Sequence, residues 1–146
     1  MAITQAIANN FKKLLLEGDS NFSNSGGDKY KLSLYTSSAT LNSATTSFTT
    51  GNEVANTGQY TSGGGLLVNQ ATSLTAGVAR ADFADRSFTG VTLTARGALI
   101  YNTSATVANA AVAALDFGAD KTATSGTFTI QFPAFTTAAA ILRISG

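Results

Sequence analysis

The sequence predicts an all-β protein, an antiparallel β-sandwich that is jelly-roll-like or immunoglobulin-like, with one N-terminal α-helix. Short segments alternate between apolar and polar residues with the period of two that is typical of half-buried strands, as where Phe128, Ile130 and Phe132 share one face. Turn-forming residues separate about seven or eight such segments at close intervals. No helical segment lies between them, which argues against a parallel sheet.

The chain is organised around a predicted hairpin of residues 91–101 and 111–117. The first strand alternates up to Ala95, and both strands then become apolar on both faces. Strands of this kind are usually covered on both sides. Gly97 lies where the pattern changes, and we expect a β-bulge or a close backbone approach there.

Residues 3–17 are predicted to form the helix, because their apolar residues recur at spacings of four, four and three. We divide the chain into an N-terminal amphipathic helix, residues 1–18, and a single β-sandwich domain, residues 29–146. The apolar stripe of the helix either packs on the chain's own sheet or contacts a neighbouring subunit. Its members are the candidate subunit-contact residues Ile3, Ile7, Phe11 and Leu14.

Six further segments are candidate strands: residues 29–36, 53–55, 66–73, 78–83, 126–133 and 140–144. Ser33 falls on the polar face of the first, and Leu142 and Ile144 fall on the inward face of the last. The Ser/Thr/Ala-rich residues 37–50 are predicted to form a long surface loop.

The composition argues against several classes of function. Charged residues make up 12% of the chain, roughly half the usual share. Either much of the surface is buried against other protein, or the surface is an uncharged, Thr-rich one. The net charge of +1 provides no long-range field for nucleic acid or an anionic membrane. The absence of histidine and cysteine removes the commonest general base, the commonest metal ligand and thiol chemistry.

Two pairs of carboxylates and one glycine run are the remaining candidates for chemistry. Asp82 and Asp85 are expected on opposite faces of a strand, not facing each other across a sugar as in a glycosidase. Asp116 and Asp120 provide too few ligands for an EF-hand-like calcium loop. Residues 63–65 lack the Lys-Ser/Thr and the helix start of a phosphate loop. We predict that the chain is not an enzyme and has no catalytic, cofactor-binding or metal site.

Three segments resemble one family. They are Leu34-Tyr35-Thr36 (LYT), residues 52–60 (NEVANTGQY) and residues 83–132, which include TARGALIY and AVAALDFGADKTATSGTFTIQF. The pattern is similar to that of small virion structural proteins of tailed bacteriophages. These proteins share an LYT strand, a Thr/Asn-Glu-Val-x-x-x-Gly-x-Tyr segment and a late strand pair. Gln59 stands beside the family's Gly and Tyr, and Thr61-Ser62 replaces the family's Ala-Arg, so no role of that arginine is carried over.

The resemblance implies a structural role, because no catalytic residues come with this family. Many members are labelled tail-fibre proteins, and some resemble capsid decoration (cement) proteins. We expect a decoration protein that binds and stabilises the assembled head, with the major capsid protein and copies of itself as partners. The expected location is the capsid surface of the virion, after synthesis in the host cytoplasm. Nucleic acid, membranes and small-molecule substrates are not expected partners.

Two alternatives remain open. One is a structural component of the tail or fibre. The other is a glycan-binding β-sandwich on the virion surface, which would have to use tyrosine to stack on sugar rings, because the chain has no tryptophan.

Overall fold

A computed structural model describes residues 2–68, 70–133 and 140–145. These residues form eight β-strands and one α-helix. The elements are β1 (Ala6–Ile7), α1 (Asn9–Leu16), β2 (Tyr30–Tyr35), β3 (Gly65–Leu66), β4 (Ala71–Thr75), β5 (Val78–Asp82), β6 (Arg86–Asn102), β7 (Ala110–Ile130) and β8 (Leu142–Ser145). The strands pair antiparallel in two sheets, ordered β1-β7-β6-β2-β3 and β4-β5-β8. The predicted all-β, sandwich-like fold with one helix is confirmed.

The central hairpin is present and is longer than predicted. β6 and β7 contain 17 and 21 residues and pair along their whole length. Residues 126–133 do not form a separate strand. Phe128 lies opposite Phe88, so this segment is the far end of β7, which ends at Ile130. Residues 118–125 are small or polar, so no alternation of large apolar side chains marks them as part of a strand. The sequence therefore suggested a break between two strands there.

The irregularity predicted at Gly97 is confirmed. The pairing register shifts directly before Gly97. Between the pairs Ala95–Lys121 and Gly97–Asp116, β6 has one residue, Arg96, and β7 has four, residues 117–120. A Cβ atom at Gly97 would lie 2.4 Å from the carbonyl oxygen of Leu115 and 2.9 Å from side-chain atoms of Ile3. Glycine therefore allows both the bulge and the close packing of the N-terminal segment.

The predicted helix over residues 3–17 is wrong in its first half. α1 begins only at Asn9, and the preceding β1 pairs with β7. A spacing of four places Ile3 and Ile7 on one face of a strand as well as on one face of a helix, so the apolar pattern alone was ambiguous. Pairing with the edge of β7 satisfies backbone groups that the first turn of a helix would leave unpaired.

The strands predicted at residues 29–36 and 78–83 are confirmed as β2 and β5. Ser33 is nevertheless fully buried, because β2 is covered on both faces. The edge strand predicted at residues 53–55 is reduced to an isolated bridge with Tyr35.

The last strand and the segment before β5 also differ from the prediction. In β8, Leu142 is buried but Ile144 is exposed, because β8 is an edge strand that the core covers only at its start. Residues 66–73 divide between β3 and β4, and Asn69 within them lies outside the described residues.

An aromatic cluster joins the two sheets. The ring of Phe22 stacks on that of Tyr30 from β2, with centroids 4.5 Å apart. Phe83, directly after β5, contacts both rings, at centroid distances of 6.1 Å and 5.6 Å. Phe11 of α1 meets Phe22 edge-on at 5.9 Å. The helix is therefore held at the junction of the two sheets.

No helix in the described part of the chain is long and apolar enough to cross a membrane.

Candidate functional site

An apolar groove opens between α1 and the three-stranded sheet, with a volume of about 680 Å³. We call it the helix–sheet groove. Its apolar lining residues are Ile7, Phe11, Leu15, Leu16, Phe22, Leu74, Ala79, Ala81, Leu142 and Ile144. A hollow of this size and lining is typical of a binding site.

The outer part of the sheet wall is a row of apolar residues across three strands. Leu74 of β4 lies opposite Ala79 of β5, which lies opposite Ile144 of β8. Directly opposed residues project to the same face of a sheet. Leu74 is 73% exposed, Ile144 is 59% exposed, and Leu16 on the helix wall is 90% exposed. These are the three most exposed large apolar side chains among the described residues.

The charged residues that line the groove are all positive. They are Lys12 of α1, Arg80 of β5 and Arg143 of β8, and no Asp or Glu in the described ranges lines it. The Arg80 guanidinium donates hydrogen bonds to Ser73 Oγ at 2.7 Å and to Thr75 Oγ1 at 3.3 Å. Arg80 and Arg143 are cross-strand partners. Strand alternation places their side chains on the sheet face opposite the apolar row.

The predicted subunit-contact residues lie mainly within the chain's own core. Ile3 and Leu14 are buried at 7% and 4% exposure, so a neighbouring subunit would reach them only by opening that core. Phe11 is also buried, but it lines the helix–sheet groove together with the half-buried Ile7. Contact with another protein remains a prediction for all four residues.

The first pair of carboxylates binds the backbone close to the end of β5. Asp82 accepts a hydrogen bond from the N–H of Phe83 at 2.9 Å, and Asp85 accepts one from the N–H of Phe132 at 2.8 Å. Burial raises the pKa of the Asp82 carboxyl. Both side chains thus hold the chain where it leaves the small sheet.

Asp116 is likewise bound by its own surroundings. It accepts hydrogen bonds from the N–H of Gly118 at 2.9 Å and from Arg96 Nε at 3.2 Å. The hydrogen bond from Gly118, aided by Arg96, lowers the pKa of this carboxyl. Within the described ranges, no group of three or more His, Cys, Asp or Glu residues that could hold a metal ion includes Asp116 or Asp120.

Glycines 63–65 allow close packing. A Cβ atom at Gly64 would lie 1.8 Å from the carbonyl oxygen of Leu32. The guanidinium of Arg86 occupies the space where a Cβ atom at Gly65 would lie. The run therefore lets the chain enter β3 directly against the backbone of β2.

A tyrosine–glutamate cluster joins Leu34 of the LYT segment to the NEVANTGQY segment, residues 52–60. The Tyr60 hydroxyl accepts a hydrogen bond from the N–H of Leu34 and donates one to the Glu53 carboxylate, both at 2.8 Å. Glu53 also accepts from Ser62 Oγ at 2.8 Å and from the N–H of Gly63 at 2.7 Å. The polar groups of this cluster fasten residues 53–63 to β2.

The four tyrosines of the chain remain protonated well above neutral pH. Burial raises the pKa of each hydroxyl, for Tyr101 to about 12, and it does so for Tyr30, Tyr35, Tyr60 and Tyr101. The negative charge of Glu53 adds to the increase at Tyr60 and Tyr101. The hydroxyls of Tyr35, Tyr60 and Tyr101 donate structural hydrogen bonds in this protonated form.

Comparisons with protein-family models, curated proteins and solved structures found no match. The geometry itself indicates what this surface can do. The helix–sheet groove can bind an apolar partner, whereas the polar clusters described above are engaged in holding loops and strand ends.

Sequence reasoning missed the rim of the groove. One feature of the sequence indicated that Leu16 is exposed: three successive leucines, Leu14-Leu15-Leu16, cannot all lie on a single helical stripe. Leu74 lies among small polar residues, and Ile144 was assigned to the inward face. Neither position can be recognised as a rim residue before the two sheets are packed together.

Proposed function

We propose that this chain is a structural protein of a bacteriophage virion, and within the virion a decoration protein that binds the assembled capsid. The observation that carries the proposal is the hydrogen-bonded unit formed by Leu34, Glu53 and Tyr60. The LYT and NEVANTGQY segments, which resemble virion proteins, are in contact here. The resemblance therefore involves residues that hold the sheet framework together, and this supports a shared framework over a chance match of short motifs.

The surface supports a role in assembly. A protein that functions by binding other proteins needs apolar surface that association covers, and exposed apolar patches commonly mark such sites. The helix–sheet groove offers Leu16, Leu74 and Ile144 at its rim. The low share of charged residues, 12%, suits a protein that is packed between neighbours.

A decoration protein acts through linked equilibria. Because it binds the assembled lattice and not the separate subunits, its binding free energy stabilises the lattice at every occupied site. A contact of standard size buries about 1,600 Å². An icosahedral shell repeats each contact many times, so modest single contacts add up to a large effect on the shell.

Fractionation of virions tests this proposal. Purified particles of the phage that encodes the chain are separated into heads and tails, and the chain is quantified in each by mass spectrometry. The major capsid protein and a known tail protein serve as fraction markers. We expect the chain in heads, in many copies per particle. Recovery with tails alone, in a few copies, would contradict the capsid assignment and favour a fibre component. Absence from virions would overturn the proposal as a whole.

A further inference from the structure

β4 is an open edge of the three-stranded sheet. Among the described residues it pairs only with β5, along its whole length and without a register shift. Natural proteins usually protect such an edge with charged side chains, a proline or a bulge. Residues 71–75, Ala-Thr-Ser-Leu-Thr, have none of the three. An unprotected edge of this kind is a template on which a further strand can pair.

The turn between β4 and β5 determines which backbone groups of β4 face outward. It consists of residues 76–77, whose φ angles are +52° and +77°. In a two-residue turn of this kind the flanking residues, here Thr75 and Val78, exchange hydrogen bonds, and hydrogen-bonded pairs then alternate along the ladder. Thr72 and Leu74 therefore direct their N–H and C=O groups away from β5. Both residues are exposed, and no other segment of the described ranges bonds to these groups.

This outward pattern is complementary to itself. In an antiparallel pair of β4 strands related by a two-fold axis at Ser73, Thr72 of each copy lies opposite Leu74 of the other. Each of these two pairs brings outward N–H groups to outward carbonyl groups, so both pairs form the two hydrogen bonds of an antiparallel ladder. Residues 71–75 carry no charge, so the pairing brings no like charges of the two strands together.

The side chains of β4 favour the same register. Leu74 is 73% exposed, which makes it the most exposed large apolar side chain of this sheet among the described residues. In the pair it would lie beside Thr72 of the other copy and diagonally beside the second Leu74, within reach of both. The apolar row of Leu74, Ala79 and Ile144 would continue into the other copy, because the two-fold axis keeps equivalent sheet faces on the same side.

We propose that two copies of this chain associate edge to edge through β4. The three strands of each small sheet then form one continuous six-stranded sheet across the dimer. A contact through one short strand is smaller than a standard interface, so the dimer exchanges with monomer in solution and is favoured where copies are concentrated. The inference goes beyond the proposed function, because it holds or fails for the isolated chain whatever particle the chain belongs to.

Disulfide cross-linking tests the inference, because the chain has no cysteine of its own. Ser73→Cys places a thiol at the two-fold axis, directly opposite its copy in a non-hydrogen-bonded pair. The two Cα atoms of such a pair lie about 4.5 Å apart, which is within the range of a disulfide. We expect mild oxidation to convert most of this variant to a covalent dimer.

Thr75→Cys is the matched control. Thr75 lies on the same sheet face as Ser73, and the side chains of both residues accept a hydrogen bond from Arg80. In the proposed register, however, the two thiols at position 75 lie four residues apart along the paired strands, about 13 Å. We expect little covalent dimer from this variant under the same oxidation.

Sedimentation equilibrium measures association without a new thiol. Leu74→Pro removes an outward N–H that β5 does not use, and proline is tolerated on edge strands, so this variant should fold and lose the dimer. Leu74→Ala keeps the N–H and should weaken the dimer without abolishing it. Circular dichroism and urea unfolding of each variant separate loss of association from loss of folding.

The outcomes are distinct. A wild-type chain that stays monomeric up to about 1 mM would overturn the inference. So would equal cross-linking of Ser73→Cys and Thr75→Cys, no cross-linking of Ser73→Cys, or a folded Leu74→Pro variant that dimerises as the wild type does. Virion fractionation is independent of these measurements, so the proposed function and this inference can fail separately.

Discussion

The hydroxyl of Tyr60 lies 2.8 Å from Oε1 of Glu53 and donates a hydrogen bond to it. The same hydroxyl accepts a hydrogen bond from the backbone N–H of Leu34 at 2.8 Å. Tyr60 is fully buried, so water cannot readily replace either partner. One side chain thus fastens a loop to β2 and satisfies a backbone donor inside the core.

Replacing this hydroxyl should destabilise the protein. Tyr60→Phe leaves the N–H of Leu34 without its partner, and an unsatisfied buried donor costs about 1–3 kcal/mol in the free energy of unfolding. Urea unfolding measures the change, with the exposed neighbour Thr61→Ala as the control. Equal midpoints for Tyr60→Phe and the wild type would contradict the hydrogen bonding described here.

The core should depend on both ends of the central hairpin. Leu99 and Phe128 are 0% and 7% exposed. Leu99→Ala and Phe128→Ala should each lower the free energy of unfolding by about 2–5 kcal/mol, because each leaves a cavity. Leu16→Ala is the control, since this leucine is 90% exposed. Urea unfolding midpoints that stay at the wild-type value for both core variants would show that these two side chains do not face the core.

Gly97 should not tolerate a side chain. In Gly97→Ala the new methyl group would meet the carbonyl oxygen of Leu115 at 2.4 Å, and we expect a loss of about 1–3 kcal/mol in stability from overpacking. Gly126→Ala in the facing strand is the matched control, because the nearest atom to its Cβ would lie 3.4 Å away. A Gly97→Ala variant as stable as Gly126→Ala would argue against the close approach.

The tyrosines predict how stability depends on alkaline pH. Burial raises the pKa of all four hydroxyls above the ordinary value of 10.0, so the folded state holds these protons more tightly than the unfolded state. This contribution to stability is complete below pH 10 and is lost as the pH rises through the folded value, about 12 for Tyr101.

Phenolate absorbance followed together with circular dichroism checks this prediction. In the folded protein we expect no tyrosine to titrate near pH 10, and phenolate to appear only as the protein unfolds. The chain in concentrated urea is the control and should titrate at the ordinary pKa. Phenolate formation near pH 10 with an unchanged circular dichroism spectrum would contradict the burial of that tyrosine.

Local patterns were sufficient for much of the fold. The alternation in β2 and in the first half of β6 is a local property of the sequence, and the change of pattern at Gly97 located the bulge. The start of the helix was not predictable, because a spacing of four fits a strand as well as a helix. The continuity of β7 was hidden because residues 118–125 are small or polar and show no apolar alternation.

The candidate site was less predictable than the fold for a physical reason. Leu16, Leu74 and Ile144 come from a helix and two strands far apart in the chain. They share one surface only because α1 and the small sheet face each other across the groove.

A density map of the native particle, at a resolution that distinguishes side chains, tests the central claim most directly. We expect copies of this chain at symmetry-related positions on the outer surface of the head, each with its helix–sheet groove against a neighbouring protein. A head fully accounted for by other chains, with this chain in the tail or absent from the particle, would contradict the account.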